Sequence, residues 1–253
     1  MTYRMRPPRD IVSGRGCIGE IGNIVSSFLP KSIAFLVDGS VHRSGGSDNL
    51  LEMLRAQGAA VHIVPDVPVE PEVGQIRELF TSMSGLGVDL IVAMGGGSVL
   101  DSAKMTSVLL RNPGYLANLL DAGLIKERGV PLIAIPTSAG TGSEATPNSI
   151  VVVPEQQLKV GVVHPFFIPD CVILDPEATV SLPANITATT GLDAFCHAIE
   201  CFISKKRNPF SDLYALEAIR LISRSLLRAF QDGSDLEARE DLLLAAFYGG
   251  MCI

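Results

Sequence analysis

Cysteine is scarce and unpaired in this 253-residue chain: Cys17, Cys171, Cys196, Cys201 and Cys252 form an odd set with no Cys-x-x-Cys spacing. That pattern excludes a disulfide framework and a zinc knuckle, and it fits a reducing, cytoplasmic setting. Basic blocks are scarce too. None is longer than Lys205-Lys206-Arg207, and 27 Asp and Glu against 20 Lys and Arg leave a net charge of −7, so nucleic acid is not an expected partner. No stretch approaches the ~18 apolar residues of a spanning helix, and no apolar segment follows the Arg- and Pro-containing residues 1–10. The chain therefore reads as soluble and unsecreted, with no membrane partner. Its 24 glycines and 16 prolines fall well short of the roughly 25–30% share of low-complexity chains. What is present, 47% hydrophobic residues over this length, is ample for a core, and leaves room for one large domain or one and a half ordinary ones.

Apolar runs at residues 33–37, 61–64, 90–93 and 132–135 have the length and branched content of buried strands, and each ends at a Gly, Pro, Asp or Ser cluster. Residues 48–57, 72–84 and 98–111 lie between them with helical spacing. Strand and helix alternating at this pitch predict a mostly parallel sheet with helices on its faces. Residues 151–153, 160–163 and 172–174 follow with little helix between them and read as an added hairpin or edge region. After Leu182-Pro183 the chain reads as helix, over 186–204, 211–231 and a third stretch from Leu236. Residues 242–248 of that third stretch are apolar on most faces, which requires partners on several sides. The residues after it cannot supply them. The expectation is a chain that stops inside its second domain, with this helix exposed and driving self-association into a homo-oligomer.

Gly95-Gly96-Gly97-Ser98 closes the strand at 90–93 and opens the helix holding Asp101 and Lys104. Adjacent glycines let backbone N–H groups approach an anion, and the helix N-terminus adds its positive dipole end. The same tetrapeptide also suits a tight strand-to-helix turn. It is neither a Rossmann fingerprint, since Leu100 stands where the third glycine would fall, nor a Walker loop. A second loop, Pro136-Thr137-Ser138-Ala139-Gly140-Thr141-Gly142-Ser143-Glu144, carries four hydroxyls and two glycines. Thr141-x-x-Glu144 fits a capping box. Two such loops at the carboxyl ends of strands fall where open α/β sheets bind ligands. Asp38 is placed to accept ribose hydroxyls and repel a 2′-phosphate, or to make an Asp-Gly turn. Asp193 and His197, four apart on a helix, share one face; a carboxylate oxygen and an imidazole nitrogen suit Fe²⁺ or Zn²⁺, and ordinary helix-surface pairs have the same spacing. Cys201 or Glu200 could extend that pair, with a structural role for Cys201 the simpler reading.

Taken together, Gly95-Gly-Gly-Ser-Val-Leu-Asp-Ser-Ala-Lys104, the loop 136–144 and Gly191-Leu-Asp-Ala-Phe-Cys-His-Ala-Ile-Glu200 resemble, in order and spacing, three signature segments of the iron-containing (group III) alcohol dehydrogenases. The resemblance covers nearly the whole chain. It implies a dehydroquinate-synthase-like fold: a parallel-sheet NAD-binding α/β domain over residues 1–183, then an all-helical metal-binding domain from 184, incomplete at 253. It further implies that Asp38 selects NAD, that Gly95, Gly96, Gly97 and Ser98 hold the pyrophosphate, and that Thr137, Ser138, Thr141 and Ser143 line the cofactor, with Asp101 in the same motif and Lys159 nearby. Asp193 and His197 match the first two metal ligands; two further family histidines belong to a later segment. Ser138, Glu70 and His164 depart from the family pattern. The implied activity is metal-dependent, NAD-linked interconversion of a small primary alcohol or diol with its aldehyde, the metal polarising the substrate oxygen. No catalytic base is visible in the sequence. The alternatives are a nucleotide-binding fragment without metal catalysis and a dehydroquinate-synthase-like lyase.

Overall fold

The computed structural model describes residues 2–65 and 67–253. Its centre is a six-stranded parallel sheet in the order β1-β8-β5-β4-β2-β3. The strands are β1 (Asp10–Ser13), β2 (Ser32–Val37), β3 (Ala60–Val64), β4 (Leu90–Gly95), β5 (Leu132–Pro136) and, after the hairpin strands β6 (Asn148–Val153) and β7 (Leu158–Val163), β8 (Cys171–Leu174). Every residue of β2, β4, β5 and β8 is buried. A parallel sheet covered on both faces demands that, and it is why these strands read as unbroken apolar runs.

Alternation along the strands separates two cores. Ile33, Phe35, Val37, Leu90, Val92, Met94, Ile133 and Ile135 face α1 (Ile21–Phe28) and α3 (Asp48–Arg55). Ala34, Leu36, Ile91, Ala93, Leu132 and Ala134 face the other way, against Val99, Leu100 and Ala103 of α5 (Gly97–Arg111). The short α2 (Gly39–Arg43) follows β2, and α4 (Val73–Ser84) follows β3.

One sequence expectation needs correction. Residues 172–174 are not part of an added edge region: β8 pairs in parallel with β1 on one side and β5 on the other. The crossover from β5 to β8 is made by the antiparallel β6–β7 hairpin and 3-10 turns rather than by a helix, so the periodic signal of a βαβ unit is missing there.

Three helices complete the chain: α6 (Ala184–Ile203), α7 (Pro209–Gln231) and α8 (Leu236–Cys252). The second correction concerns α8. Leu242, Leu243, Ala245, Ala246 and Phe247 are buried, none more than 4% exposed, rather than forming an open apolar face. The partners precede α8 in the chain: α6, α7 and the 3-10 turns Ser143–Ala145 and Pro176–Thr179. Their apolar residues belong to the same cluster as Ala34 and Leu36, so one core runs from the sheet into the helices. At the join the approach is backbone to backbone. A Cβ on Gly250 would lie 2.2 Å from the Gly142 carbonyl oxygen, and one on Gly142, itself at φ +60°, would lie 2.3 Å from that of Ala246. No described helix is long and apolar enough to cross a membrane.

Candidate dinucleotide site and metal face

The chain runs from β2 outward to β3, then returns to the other side of β2 as β4. Such a reversal opens a crevice at the carboxyl ends of the two strands. The strand ends are stitched together there: Asp38 N–H donates to the Met94 carbonyl at 2.9 Å and Thr137 N–H to that of Gly95 at 3.0 Å. Asp38 caps α2, its Oδ1 accepting from Ser40 N at 2.8 Å, Val41 N at 3.2 Å and Ser40 Oγ at 2.5 Å. All of these bonds fall on one oxygen. The Asp-Gly turn therefore forms while Oδ2 remains available for a further donor.

Gly96 is the N-cap of α5 and provides no side-chain cap; Val99 N–H turns back to the Gly96 carbonyl at 3.1 Å, while the amides of Gly97 and Ser98 have no intrahelical acceptor and none from a capping side chain. That is the donor arrangement an anion requires. None of the three loop glycines has positive φ. What requires them is space. A Cβ on Gly95 would meet Val99 at 2.6 Å and one on Gly97 would meet Thr141 at 2.8 Å, so the two loops interlock; at Gly96 it would meet Ser138 Oγ at 3.3 Å. The residues present thus fit a pyrophosphate: bare helix amides, a wall with no side chain at Gly96, and hydroxyls opposite.

Along the second loop Thr137 is buried, Ser138 half-buried and Thr141 exposed. The expected capping box does not form. Gly142 takes the left-handed conformation and leads into a 3-10 turn, so Thr141 Oγ1 accepts from Ser143 N at 3.2 Å while Glu144 points into the interior. Asp101 and Ser143, 7% and 4% exposed, lie beneath the loops and are bonded to each other at 2.6 Å; Asp101 Oδ2 also accepts from Ile150 N at 3.1 Å. Their polar groups fasten α5 to the loop and to β6.

The same layer holds two charged residues that the sequence names only as motif members and does not mark as site residues. Lys104 is fully buried, its Nζ donating to the Asn148 carbonyl at 2.7 Å and Thr146 Oγ1 at 3.1 Å, with Asp101 Oδ1 at 3.5 Å. Burial lowers its pKa, and the nearby carboxylates oppose that fall. Glu144, 2% exposed, has an Oε1 with no partner, and burial pushes its carboxyl up to about 7 against the pull of its backbone amide and Lys104. The available signal was the Asp101–Lys104 spacing inside an otherwise apolar helix.

At the rim, Lys159 on β7 pairs with Glu70, Nζ to Oε1 2.5 Å, both side chains more than half exposed. Glu70, at φ +54°, donates its N–H to Ser98 Oγ at 3.0 Å. The structure thus brings Lys159 and Ser98 to one edge through a residue 28 positions before Ser98.

On α6, Asp193 Oδ1 and His197 Nε2 lie 3.8 Å apart, their side chains 47% and 30% exposed. His197 Nδ1 is buried without a partner, although a ligating imidazole ordinarily donates its other N–H to an acceptor. Cys201 does not join them in a three-donor group; the Cys252 thiol beside it donates to the carbonyls of Ser211 at 3.4 Å and Tyr248 at 3.1 Å. Among the described residues no three His, Cys, Asp or Glu side chains are grouped to hold a metal. The pair fits one side of a Fe²⁺ or Zn²⁺ coordination sphere and no more. Beside it lies a cavity of about 490 Å³ lined by His197, Glu200, Cys201, Asn208 and Cys252.

Comparison with known proteins gives a consistent result. Residues 8–176 match the family described as "Iron-containing alcohol dehydrogenase", and residues 187–253 match "Fe-containing alcohol dehydrogenase family, C-terminal". The chain is 38% identical over 250 residues to Long-chain-alcohol dehydrogenase 1 of Geobacillus thermodenitrificans, covering 97% of this chain and 62% of that protein. It superposes on a 1,3-propanediol oxidoreductase with a TM-score of 0.94 at 31% identity, over 100% of this chain and 66% of the other. A sulfoacetaldehyde reductase from Bifidobacterium kashiwanohense in complex with NAD+ gives 0.92 at 30% identity, over 100% and 67%. The chain thus spans somewhat under two thirds of the length of the first relative and about two thirds of the two solved structures.

Proposed function

Because the chain belongs to the iron-containing alcohol dehydrogenase family, we propose that it acts in NAD(H)-linked interconversion of a small primary alcohol or diol and its aldehyde. The observation that carries this reading is the meeting of two loops at the sheet's reversal point, where the amides of α5 face the hydroxyl-bearing segment 137–141. In this reading residues 1–183 bind the dinucleotide and residues 184–253 begin the helical metal-binding part. Gly95, Gly96, Gly97 and Ser98 hold the pyrophosphate, Thr137, Ser138 and Thr141 line the cofactor, Lys159 neutralises phosphate charge, and Asp101 and Ser143 hold the loops in register. Asp38 presents its second carboxylate oxygen to the ribose. Asp193 and His197 are two donors to Fe²⁺ or Zn²⁺; a metal held there supplies Lewis-acid polarisation of the substrate oxygen. The setting is cytoplasmic and the state homo-oligomeric, which five free thiols and the exposed α7 residues Leu213, Leu216 and Leu227 suit.

A second reading, nucleotide binding without metal catalysis by residues 1–253, is favoured by the lack of a three-donor group among the described residues. Fluorescence titration with NADH and NADPH tests what the two share. Binding of NADH in preference to NADPH, with the gap narrowed in Asp38→Gly, is the expected result; equal affinities in the unmutated chain would overturn the role of Asp38. Metal analysis and an alcohol-dependent assay on the same preparation then separate the two.

A further inference from the structure

The edge of the glycine loop carries one group of the wrong sign for an anion site. Glu70 is held there by its backbone: its N–H donates to Ser98 Oγ at 3.0 Å, the next residue, Pro71, accepts from Val152 N at 2.9 Å, and Glu72 bridges to Val152. This short strap ties the start of α5 to the β6–β7 hairpin and keeps the residue beside the cradle. The turn does not ask for glutamate. At φ +54° it is one of three non-glycine residues with positive φ among those described, a conformation that glycine adopts without strain. Its carboxylate engages Lys159 Nζ at 2.5 Å, the cation to which the proposed function gives the phosphates. Beneath the loop, Asp101 and Glu144 are opposed by Lys104, so the buried layer does not supply the missing positive charge.

We infer that Glu70 is an affinity-setting residue: it occupies Lys159 in the free protein and repels the incoming pyrophosphate, so that the dinucleotide is held loosely enough to exchange. This rests on the dinucleotide reading above. When a phosphate oxygen arrives, Lys159 leaves the carboxylate for it. Binding therefore loses one ion pair while gaining another.

The test is NADH titration of the full chain at low and high salt. Glu70→Gln, with a circular dichroism spectrum matching the wild type, binds NADH about three- to fivefold tighter at low salt, as suits an exposed pair. The gain shrinks in concentrated salt. It is larger with Lys159 present than in a Lys159→Gln background, because only then is an ion pair also relieved. Glu70→Gly, which removes the charge and suits the backbone, gives the same direction and serves if the glutamine variant folds poorly. Wild-type binding that neither variant tightens overturns the role of Glu70 alone. Failure of the wild type and every variant to bind NADH overturns the dinucleotide reading, and this inference with it.

Discussion

The sheet's carboxyl edge and the exposed face of α6 both carry polar residues and treat them differently. Under the glycine loop, Asp101, Ser143 and Lys104 have each found partners within the chain, 42 residues apart in the case of Asp101 and Ser143. On α6, Asp193 and His197 face each other at 3.8 Å, and a buried ring nitrogen has no partner. The first region is organised before any ligand arrives. The second is a partly exposed pair with no third donor grouped beside it among the described residues. Preorganised donors bind without an ordering cost, whereas an isolated pair of ligands holds a metal weakly. What the difference teaches is that, under the proposed reading, NADH binding and metal binding should be separable in this polypeptide.

The sharpest way to break the comparison is at the join that keeps the loop in place. Gly142→Val would drive a branched side chain into the Ala246 carbonyl and force a β-branched residue to φ +60°, so a loss of about 3 kcal/mol or more in urea unfolding is expected. A change within error would show that α8 gives way freely. Next is Glu144. Its folded-state pKa of about 7 lies above its ordinary 4.5, so its contribution to stability is full below about pH 4.5 and is lost as pH rises through about 7. That amounts to somewhat over ~3 kcal/mol as an upper figure for a buried group. Glu144→Gln should flatten the decline in stability between pH 5 and pH 8; parallel curves for variant and wild type would refute it. Gly96→Val comes third. A Cβ at that position meets Ser138 Oγ at 3.3 Å and the backbone needs no positive φ, so the fold should survive while NADH affinity drops at least ~10-fold, about 1.4 kcal/mol. Unchanged affinity in a folded variant would leave the loop as a turn only. The smallest effects belong to α6: Asp193→Asn and His197→Ala should each shift unfolding by no more than about 0.5 kcal/mol and leave NADH binding alone. The unmutated chain should retain less than one Fe²⁺ or Zn²⁺ after dialysis, and a stoichiometric metal would erase the contrast.

The sequence was most readable where burial is symmetrical. Strands covered on both faces must be apolar throughout, so β2, β4 and β5 stand out within a residue or two of their ends. It was least readable where the partner is distant. Val172 pairs with Ile11 across most of the chain, and nothing local in residues 171–174 announces a strand inside a parallel sheet. The apolar α8 correctly signalled a need for neighbours on several sides, yet those neighbours precede it. At the site, the two loops and the Asp193–His197 spacing were legible as motifs. The Lys159–Glu70 pair, 89 residues apart, and the unpartnered Glu144 oxygen depend on tertiary placement and leave no periodic trace. Thr141-x-x-Glu144 misled because a left-handed Gly142 redirects the turn before the capping geometry can close.

The apolar cluster that runs without a break from Ala34 and Leu36 to Leu242 and Phe247 bears on how such a protein can be recombined. A module boundary usually falls where few contacts cross, in an exposed linker. The turn at Pro183 looks like one from the chain's local character, but a cut there would strip cover from Ala139 and Ala145 and from the Gly142 carbonyl that Gly250 approaches. Any foreign helix grafted onto residues 1–183 would have to bring a residue without a side chain to that one spot. The helical segment is thus inherited together with the loop it touches, and the pair should melt as a single cooperative unit.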